Sequence, residues 1–191
     1  ESGLAVSVRD LQRTMGKVLS LSLAIPGVKV WCRSLYRQIV EVNRGGAFLT
    51  KESAEELGVL TFLLRTVDGS PFISPEHEVD MWCDAGEVGW GAHTHTKTVS
   101  GQFELEWIDR SSTARELKGL CLALKSLAPR LQGKVVRLNM DSMCSVRNMI
   151  KGGGPVPELC TLVKEVWRLC EHFDITLSPR WQRRNVAGMQ K

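Results

Sequence analysis

Between residues 79 and 181 the spacing of hydrophobic residues changes several times, and the order of these changes restricts the possible folds. Apolar and polar residues alternate over 79–84, which is typical of a strand with one buried face. Residues 89–96 and 99–107 show two more strand patterns with short connections. Three consecutive strands in hairpin order are therefore predicted to begin the sheet.

After the third strand, the spacing of hydrophobic residues alternates between helix and strand patterns. Helical spacing over 117–128 is expected to end at Pro129, and the valine- and leucine-rich segment 134–140 is typical of a central strand. Helices are predicted at 142–151 and 156–170, with a last strand at 175–181. Strands separated by helices require parallel crossovers. The prediction is an α/β fold with a mixed five-stranded sheet and helices on its faces.

The N-terminal part is predicted to be a helical extension. Apolar residues recur at helical spacing from Leu11 to Leu19, before Pro26, and again from Val28 to Val42. A third helix is expected from Thr50; its predicted buried side comprises Ala54, Leu57, Leu60 and Leu64. Turn-forming residues at 67–71 mark the predicted boundary between a segment at 1–75 and a domain at 76–191.

Composition excludes several classes of protein. The 191 residues are 43% hydrophobic and 24% charged, which is the balance of a globular domain, and no apolar run is long enough for a membrane span. The first residues show no signal peptide and suggest a part of a longer protein. Six scattered cysteines without a C-x-x-C pair are interpreted as small buried hydrophobes. We therefore expect a reducing intracellular location, in the cytoplasm or nucleus.

Three acidic residues are predicted to converge. Asp84 and Asp141 each end a predicted strand, and Glu116 is placed in the first turn of the helix between them. The carboxyl ends of neighbouring parallel strands share one edge of a sheet, where functional groups gather. Three carboxylates at one point would repel one another unless cations were present, and hard oxygen ligands favour Mg²⁺ or Mn²⁺. Two such ions can support hydrolysis of a phosphodiester.

Each of these residues also has a simpler interpretation. Glu116 with Thr113 fits the S/T-x-x-E capping box, and the two aspartates could be ordinary turn residues. His93 and His95 alternate on one strand, but no partner with zinc-ligand spacing is present, so surface or groove positions are favoured. Gly152 to Gly154 lacks the lysine and serine of a phosphate-binding loop and is interpreted as a flexible connector.

A short basic segment near the end of the chain is a candidate nucleic-acid contact. A net charge of +4 favours a polyanionic partner only slightly. Such a segment is more often a solvated edge of the protein. The candidate contact residues are Arg180, Trp181, Arg183, Arg184 and Asn185.

The motifs around the three acids resemble those of retroelement ribonuclease H domains. WCDAGEVGWGA at 82–92 resembles the first-strand motif, and SSTARELKGL at 111–120 resembles the helix motif with the catalytic glutamate. NMDS at 139–142 is similar to the central-strand aspartate motif, and PEL at 157–159 and LSPRW at 177–181 continue the match. The resemblance implies a ribonuclease H-like fold in which Asp84, Glu116 and Asp141 are catalytic and hold two Mg²⁺ or Mn²⁺ ions, with Asp84 bridging them.

The upstream part resembles the connection between reverse transcriptase and ribonuclease H in DIRS-like retrotransposons. The segments that carry this likeness are VRDL at 8–11, AIP at 24–26 and RSLY at 33–36. The resemblance implies a reverse transcriptase in the parent polyprotein as a partner. No Y-x-D-D polymerase motif occurs in this sequence.

The sequence departs from the family at one acidic position. The family carries a fourth acid in an N-x-x-A-D-like stretch; here Asn185 is recognisable but no acidic residue follows Asp174. Truncation, decay of the copy or adoption by a host would each leave such a tail. Fewer negative ligands would weaken metal binding without abolishing it.

Two functions from different classes remain. The leading hypothesis is a metal-dependent endonuclease that cleaves the RNA strand of RNA–DNA hybrids. The alternative is a catalytically inactive domain that binds nucleic acid or has a structural role. A protein-contact surface on the N-terminal helices is a further possibility, although Trp31 and Tyr36 are expected to be core residues.

Overall fold

The chain divides into two compact units, Glu1–Ser74 and Pro75–Lys191. The structure, a computed structural model, describes residues 6–25, 27–42, 48–66 and 76–183. Among these residues no helix is both long and apolar enough to cross a membrane.

The described part of unit 1 is helical. Its elements are α1 (Val8–Ser20), a 3₁₀ helix (Val28–Cys32), α2 (Arg33–Val42) and α3 (Lys51–Thr66). The apolar stripe that starts at Val28 is thus divided, because the backbone at Trp31 leaves helical geometry. Trp31 is buried as expected, whereas Tyr36 is 40% exposed, so the core prediction was wrong for Tyr36.

The buried side of α3 differs from the prediction. Leu60 is buried as predicted, but Ala54 and Leu64 are exposed. The other buried residues of α3 are Ser53, Glu56 and Leu63. The cause is the carboxylate of Glu56, which accepts hydrogen bonds of 2.8 to 3.0 Å from the backbone N–H groups of Ser34 and Leu35. These groups lie in the first turn of α2, where N–H groups have no helical partner. A charged residue therefore occupies the buried side of α3 because it caps the neighbouring helix.

Unit 2 contains a five-stranded mixed sheet. Its strands are β1 (Val79–Ala85), β2 (Gly89–Thr94), β3 (Thr98–Gln102), β4 (Val135–Met140) and β5 (Thr176–Trp181). Their order across the sheet is β3-β2-β1-β4-β5. The first three are antiparallel neighbours, and β4 is parallel to both β1 and β5. This order and these directions confirm the predicted ribonuclease H-like fold.

The helices of unit 2 are α4 (Leu105–Ile108), α5 (Ser112–Leu131), α6 (Met143–Lys151) and α7 (Pro157–His172). Helix α5 packs on β1 and β2, and α7 packs on α5. The buried side chains of β4, Val136, Leu138 and Met140, explain why its sequence reads as a central strand.

Two element boundaries were predicted wrongly. The strand expected at 99–107 ends at Gln102, because Phe103 is buried and the chain then turns into α4. Helix α5 continues past Pro129 to Leu131. A proline removes only one helical hydrogen bond, and Leu127, Ala128 and Leu131 remain buried in this last turn.

Two smaller expectations also need correction. Gly152 and Gly153 are buried, with φ angles of +69° and +99°, and form a defined left-handed turn rather than a flexible connector. A Cβ on Gly153 would lie 2.8 Å from Sγ of Cys160, so this position leaves no room for a side chain. All six cysteines are free, and five are buried as small hydrophobes; Cys144 is exposed.

Candidate metal centre

The strand pairing brings Asp84 and Asp141 to one edge of the sheet. Strands β1 and β4 are parallel, with Trp82 opposite Asn139. Asp84 and Asp141 each follow two residues later, so both side chains leave the same face at the carboxyl end of the strands. Asp84 is exposed and Asp141 is half-buried.

Glu116 reaches this edge from α5. The helix begins after Ser111, whose Oγ accepts a hydrogen bond of 3.2 Å from the backbone N–H of Ala114. Ser111 is therefore the N-cap, and Glu116 lies in the second turn rather than the first. The capping-box interpretation with Thr113 was wrong, because Thr113 is already inside the helix. Glu116 is 8% exposed, so its carboxylate is placed within the protein.

A glycine on the same helix allows a close approach to the sheet. A Cβ on Gly119 would lie 3.0 Å from Cβ of Trp90 on β2 and 3.4 Å from Cβ of Ala85 on β1. Gly119 is one helical turn after Glu116, so this contact fixes the height of Glu116 above the strands. Ligand oxygens of Asp84, Glu116 and Asp141 all lie within 4.8 Å of one another.

The donor set fits a hard divalent cation. Carboxylate oxygens are the ligands that Mg²⁺ and Mn²⁺ prefer, and three negative groups at this separation are best accommodated with a cation between them. The negative field extends to the neighbouring thiol of Cys83. Burial raises the pKa of Cys83 most, and the charges of Glu116 and Asp84 raise it further. Asp84, Glu116 and Asp141 are the group of potential metal ligands that lie close enough together, among the described residues, to hold an ion.

Asp141 is supported through its backbone. Its carbonyl oxygen accepts a hydrogen bond of 3.0 Å from Nε1 of Trp181, and the backbone N–H of Gln182 donates to Met140 O at 2.9 Å. Oε1 of Gln182 accepts a hydrogen bond of 3.1 Å from Nε1 of Trp82. Hydrogen bonds from the end of β5 thus hold the backbone at the end of β4 in place. Trp181 was predicted only as a nucleic-acid contact, and no sequence signal indicates this contact across the sheet.

The basic residues lie beside the acidic cluster rather than inside it. Arg180, Trp181 and Arg183 are exposed at the end of β5. Arg183 lines a groove of about 560 Å³ that also includes Asp84 and Asp141. Arg184 and Asn185 lie outside the described residues. The proposed binding role of all five remains a prediction.

An aromatic cluster lies on the same face of the sheet. The rings of Trp82 and His93 are stacked with centroids 4.9 Å apart and an angle of 6° between planes, and His95 meets Trp82 edge-on at 5.3 Å. His93 is in the groove and exposed, which agrees with the favoured surface or groove position. Trp82 was missed as a site residue, because alternation along β1 does not show which ring of β2 lies opposite.

Several solved structures are similar to part or nearly all of this chain. Ribonuclease H1 LC11, isolated from compost and solved with an RNA/DNA hybrid, is 18% identical over 56% of this chain and 86% of its own, with a TM-score of 0.48. Ribonuclease H1 from Halobacterium salinarum is 17% identical over 56% of this chain and 86% of its own, with a TM-score of 0.45.

A foamy viral protease–reverse transcriptase solved with double-stranded DNA aligns with 97% of this chain, which spans 40% of that protein. Its identity is 12% and its TM-score 0.45. No protein-family model matches the sequence, and no curated protein is significantly similar to it.

Proposed function

We propose that the chain is a metal-dependent endonuclease that hydrolyses the RNA strand of RNA–DNA hybrids. The observation that carries the proposal is the convergence of Asp84, Glu116 and Asp141, whose ligand oxygens lie within 4.8 Å of one another. The order of the motifs around these residues, which resembles that of retroelement ribonuclease H domains, supports the choice of substrate. This fold has other functions in other proteins, so the site carries the proposal.

Each residue has a proposed task. Asp84, at the exposed end of β1, would hold the ions together with Glu116 and Asp141. The ions would supply an activated water and stabilise the leaving oxygen. Glu116 is buried against the sheet and fixes one side of the site, and Trp181 keeps the backbone of Asp141 in place.

The proposed site contains three acids among the residues that the structure describes. Three carboxylates carry less negative charge than four, and we therefore expect them to bind a divalent cation more weakly. Cleavage should then require higher concentrations of Mg²⁺ or show a preference for Mn²⁺.

An inactive domain that binds duplex nucleic acid is the second candidate. The exposed side chains of Arg180 and Arg183 support it, because they are available to phosphates whether or not catalysis occurs. This candidate predicts binding that weakens steeply with salt, without cleavage.

We place the chain in a DIRS-like retroelement polyprotein, with unit 1 as the connection to a preceding reverse transcriptase. The likeness of the motifs at 8–11, 24–26 and 33–36 supports this assignment. The six free cysteines suit the reducing cytoplasm or nucleus.

Cleavage of a labelled RNA–DNA hybrid in Mg²⁺ and in Mn²⁺ tests the proposal. The wild type is expected to cut the RNA strand, and Asp141→Asn to cut it at least about tenfold more slowly, because losing a metal ligand should cost no less than losing a residue that only supports a ligand. Asp80→Asn is the matched control. Asp80 lies on the same face of β1 but pairs with Arg137 at 3.5 Å and is outside the cluster.

Two results would decide against catalysis. Equal products from the wild type and Asp141→Asn would show that the cutting does not depend on this site. Salt-sensitive hybrid binding by a wild type that does not cut would favour the inactive binding domain.

A further inference from the structure

The groove beside the acidic cluster extends well beyond the candidate metal ligands. Its volume of about 560 Å³ lies in the range of small-molecule sites. Asp84 and Asp141 form one end, the aromatic pair Trp82 and His93 lies further along the strands, and Arg183 is at the rim. Hydrolysis of a phosphodiester uses only the acidic end.

The aromatic part of the groove is an incomplete stack. Trp82 and His93 are opposite each other on β1 and β2 and stack almost in parallel. The residue opposite His93 on the other side is Thr98 of β3, whose short side chain cannot cover a ring. His93 is exposed, and Gly91 and Ser100 form a low surface beside it. A flat ring could therefore continue the stack on His93.

The spacing along the strands fits one nucleotide. Asp84 is opposite Gly91, and His93 is two residues further along β2. Two strand residues span about 7 Å along β2, and neighbouring strands lie about 4.8 Å apart, so the backbones of Asp84 and His93 are separated by roughly 8 Å. This distance is comparable to that between a phosphate and the base of the same nucleotide. A phosphate near the acidic cluster and its cations would thus place the attached base beside His93, with Arg183 available to the phosphate.

We propose that this groove is a subsite for an unpaired nucleotide, whose base stacks on His93. The inference rests on the proposed nucleic-acid function and adds a preference to it. Bases within a duplex are covered by their neighbours, so a base must be unpaired to present its face to a side chain. The protein would therefore favour hybrids that carry an unpaired nucleotide, at a junction or strand end, next to the scissile phosphate.

Titration of the full chain with adenosine monophosphate tests the subsite directly. The probe is the indole N–H resonance of Trp82, identified with Trp82→Phe and followed by NMR in excess Mg²⁺. We expect this resonance to shift with the nucleotide and with adenosine, but not with inorganic phosphate. His93→Ala should weaken nucleotide binding roughly 5- to 150-fold, because stacking on an aromatic side chain contributes that much per base.

His172→Ala is the matched control, since His172 is an exposed histidine at the end of α7 that contacts Phe173. It should bind the nucleotide like the wild type. The proposal is overturned if His93→Ala also binds like the wild type, or if inorganic phosphate shifts the Trp82 resonance and adenosine does not.

The outcome is separable from that of the cleavage assay. Adenosine carries no phosphate, so its binding does not require the metal centre. If the chain binds adenosine through His93 but never cuts a hybrid, the proposed subsite is supported and the proposed nuclease activity is rejected. If the chain cuts a hybrid but neither adenosine nor the nucleotide shifts the Trp82 resonance, the nuclease activity is supported and the subsite is rejected.

Discussion

Asp141 depends on a contact that its own strand does not provide. Its carbonyl oxygen accepts a hydrogen bond from Nε1 of Trp181. Trp181 lies on β5, and 35 residues lie between the end of β4 and the start of β5. Because the same residue supplies a candidate metal ligand, the orientation of its carboxylate follows the position of its backbone. We therefore expect Trp181 to act as a positioning residue for the candidate metal centre.

Trp181→Phe should weaken metal binding while leaving the domain folded. The substitution keeps an aromatic ring and removes one hydrogen bond, which contributes about 0.5–1.5 kcal/mol, or roughly two- to twelvefold in affinity. Mn²⁺ affinity measured by calorimetry checks the effect. Trp167→Phe is the control, because Nε1 of Trp167 is buried without a hydrogen-bond partner. An equal loss of Mn²⁺ affinity in Trp181→Phe and Trp167→Phe would contradict a positioning role of Trp181.

The placement of the three acids was only partly predictable from the sequence. The positions of Asp84 and Asp141 at strand ends followed from alternation and from the motifs. The turn of α5 that holds Glu116 did not, because Ser111, Ser112 and Thr113 are all suitable N-caps. Only the folded chain selects Ser111.

Helices α2 and α3 are joined by a buried carboxylate. Glu56 is 2% exposed and accepts hydrogen bonds from two N–H groups in the first turn of α2. The hydrophobic pattern of α3 predicted a different buried side, because a glutamate is normally assigned to solvent. A charged cap between helices far apart in sequence leaves no local pattern.

Glu56→Ala should destabilise α2. Two buried N–H groups would lose a charged acceptor, at a cost of about 1.5–3 kcal/mol. Hydrogen exchange of the folded protein, followed in the segment 33–42, measures this effect. We expect faster exchange of this segment in Glu56→Ala than in the wild type. Glu55→Ala, at an exposed neighbouring position on α3, should exchange like the wild type. Unchanged protection in Glu56→Ala would contradict the capping role.

Helices α5 and α7 each carry buried thiols, among them Cys121 on α5 and Cys170 on α7. Burial raises the pKa of Cys121 well above the ordinary 9.0, and the charge of Glu165 raises it further. Burial likewise raises the pKa of Cys170 to about 12. In the unfolded chain these thiols ionise at lower pH than in the folded one. The free energy of unfolding therefore keeps its full value below the unfolded-state pKa of these thiols and falls as pH rises above that pKa.

We therefore expect the free energy of unfolding to fall above about pH 9, by up to ~1.4 kcal/mol per pH unit for each such thiol. Urea denaturation at several pH values measures this slope. Cys121→Ala should reduce the slope, whatever its effect on stability at neutral pH. Substitution of the exposed Cys144 should leave the slope unchanged. The same slope in Cys121→Ala and wild type would argue against the buried-thiol explanation.

At the scale of the whole molecule, the sheet order and the helical N-terminal unit were predictable, because they depend on long periodic segments. The groove was not, because it arises from side chains of neighbouring strands whose register no single segment specifies. Trp82, His93 and Gln182 show this most clearly. Each is unremarkable in its own segment, and their contacts appear only across the sheet.

The distribution of charge gives a prediction for duplex binding. If Arg180 and Arg183 each contact a phosphate, Arg180→Ala/Arg183→Ala should lower hybrid affinity and reduce the slope of log affinity against log salt by about 1.8. Anisotropy titrations without divalent metal, to prevent cleavage, measure both. Arg130→Ala, at an exposed position near the end of α5, should leave the slope unchanged. An unaltered slope in the double variant would place the duplex elsewhere.

Asp84, Glu116 and Asp141 are proposed to hold a divalent metal ion together. Titration with Mn²⁺, with the free ion followed by electron paramagnetic resonance, tests it most directly and requires no catalysis. The wild type and Asp80→Asn are predicted to bind Mn²⁺ alike, and Asp84→Asn, Glu116→Gln and Asp141→Asn are each predicted to bind it at least tenfold more weakly. Undiminished binding by the three variants, or no binding by the wild type, would contradict the account.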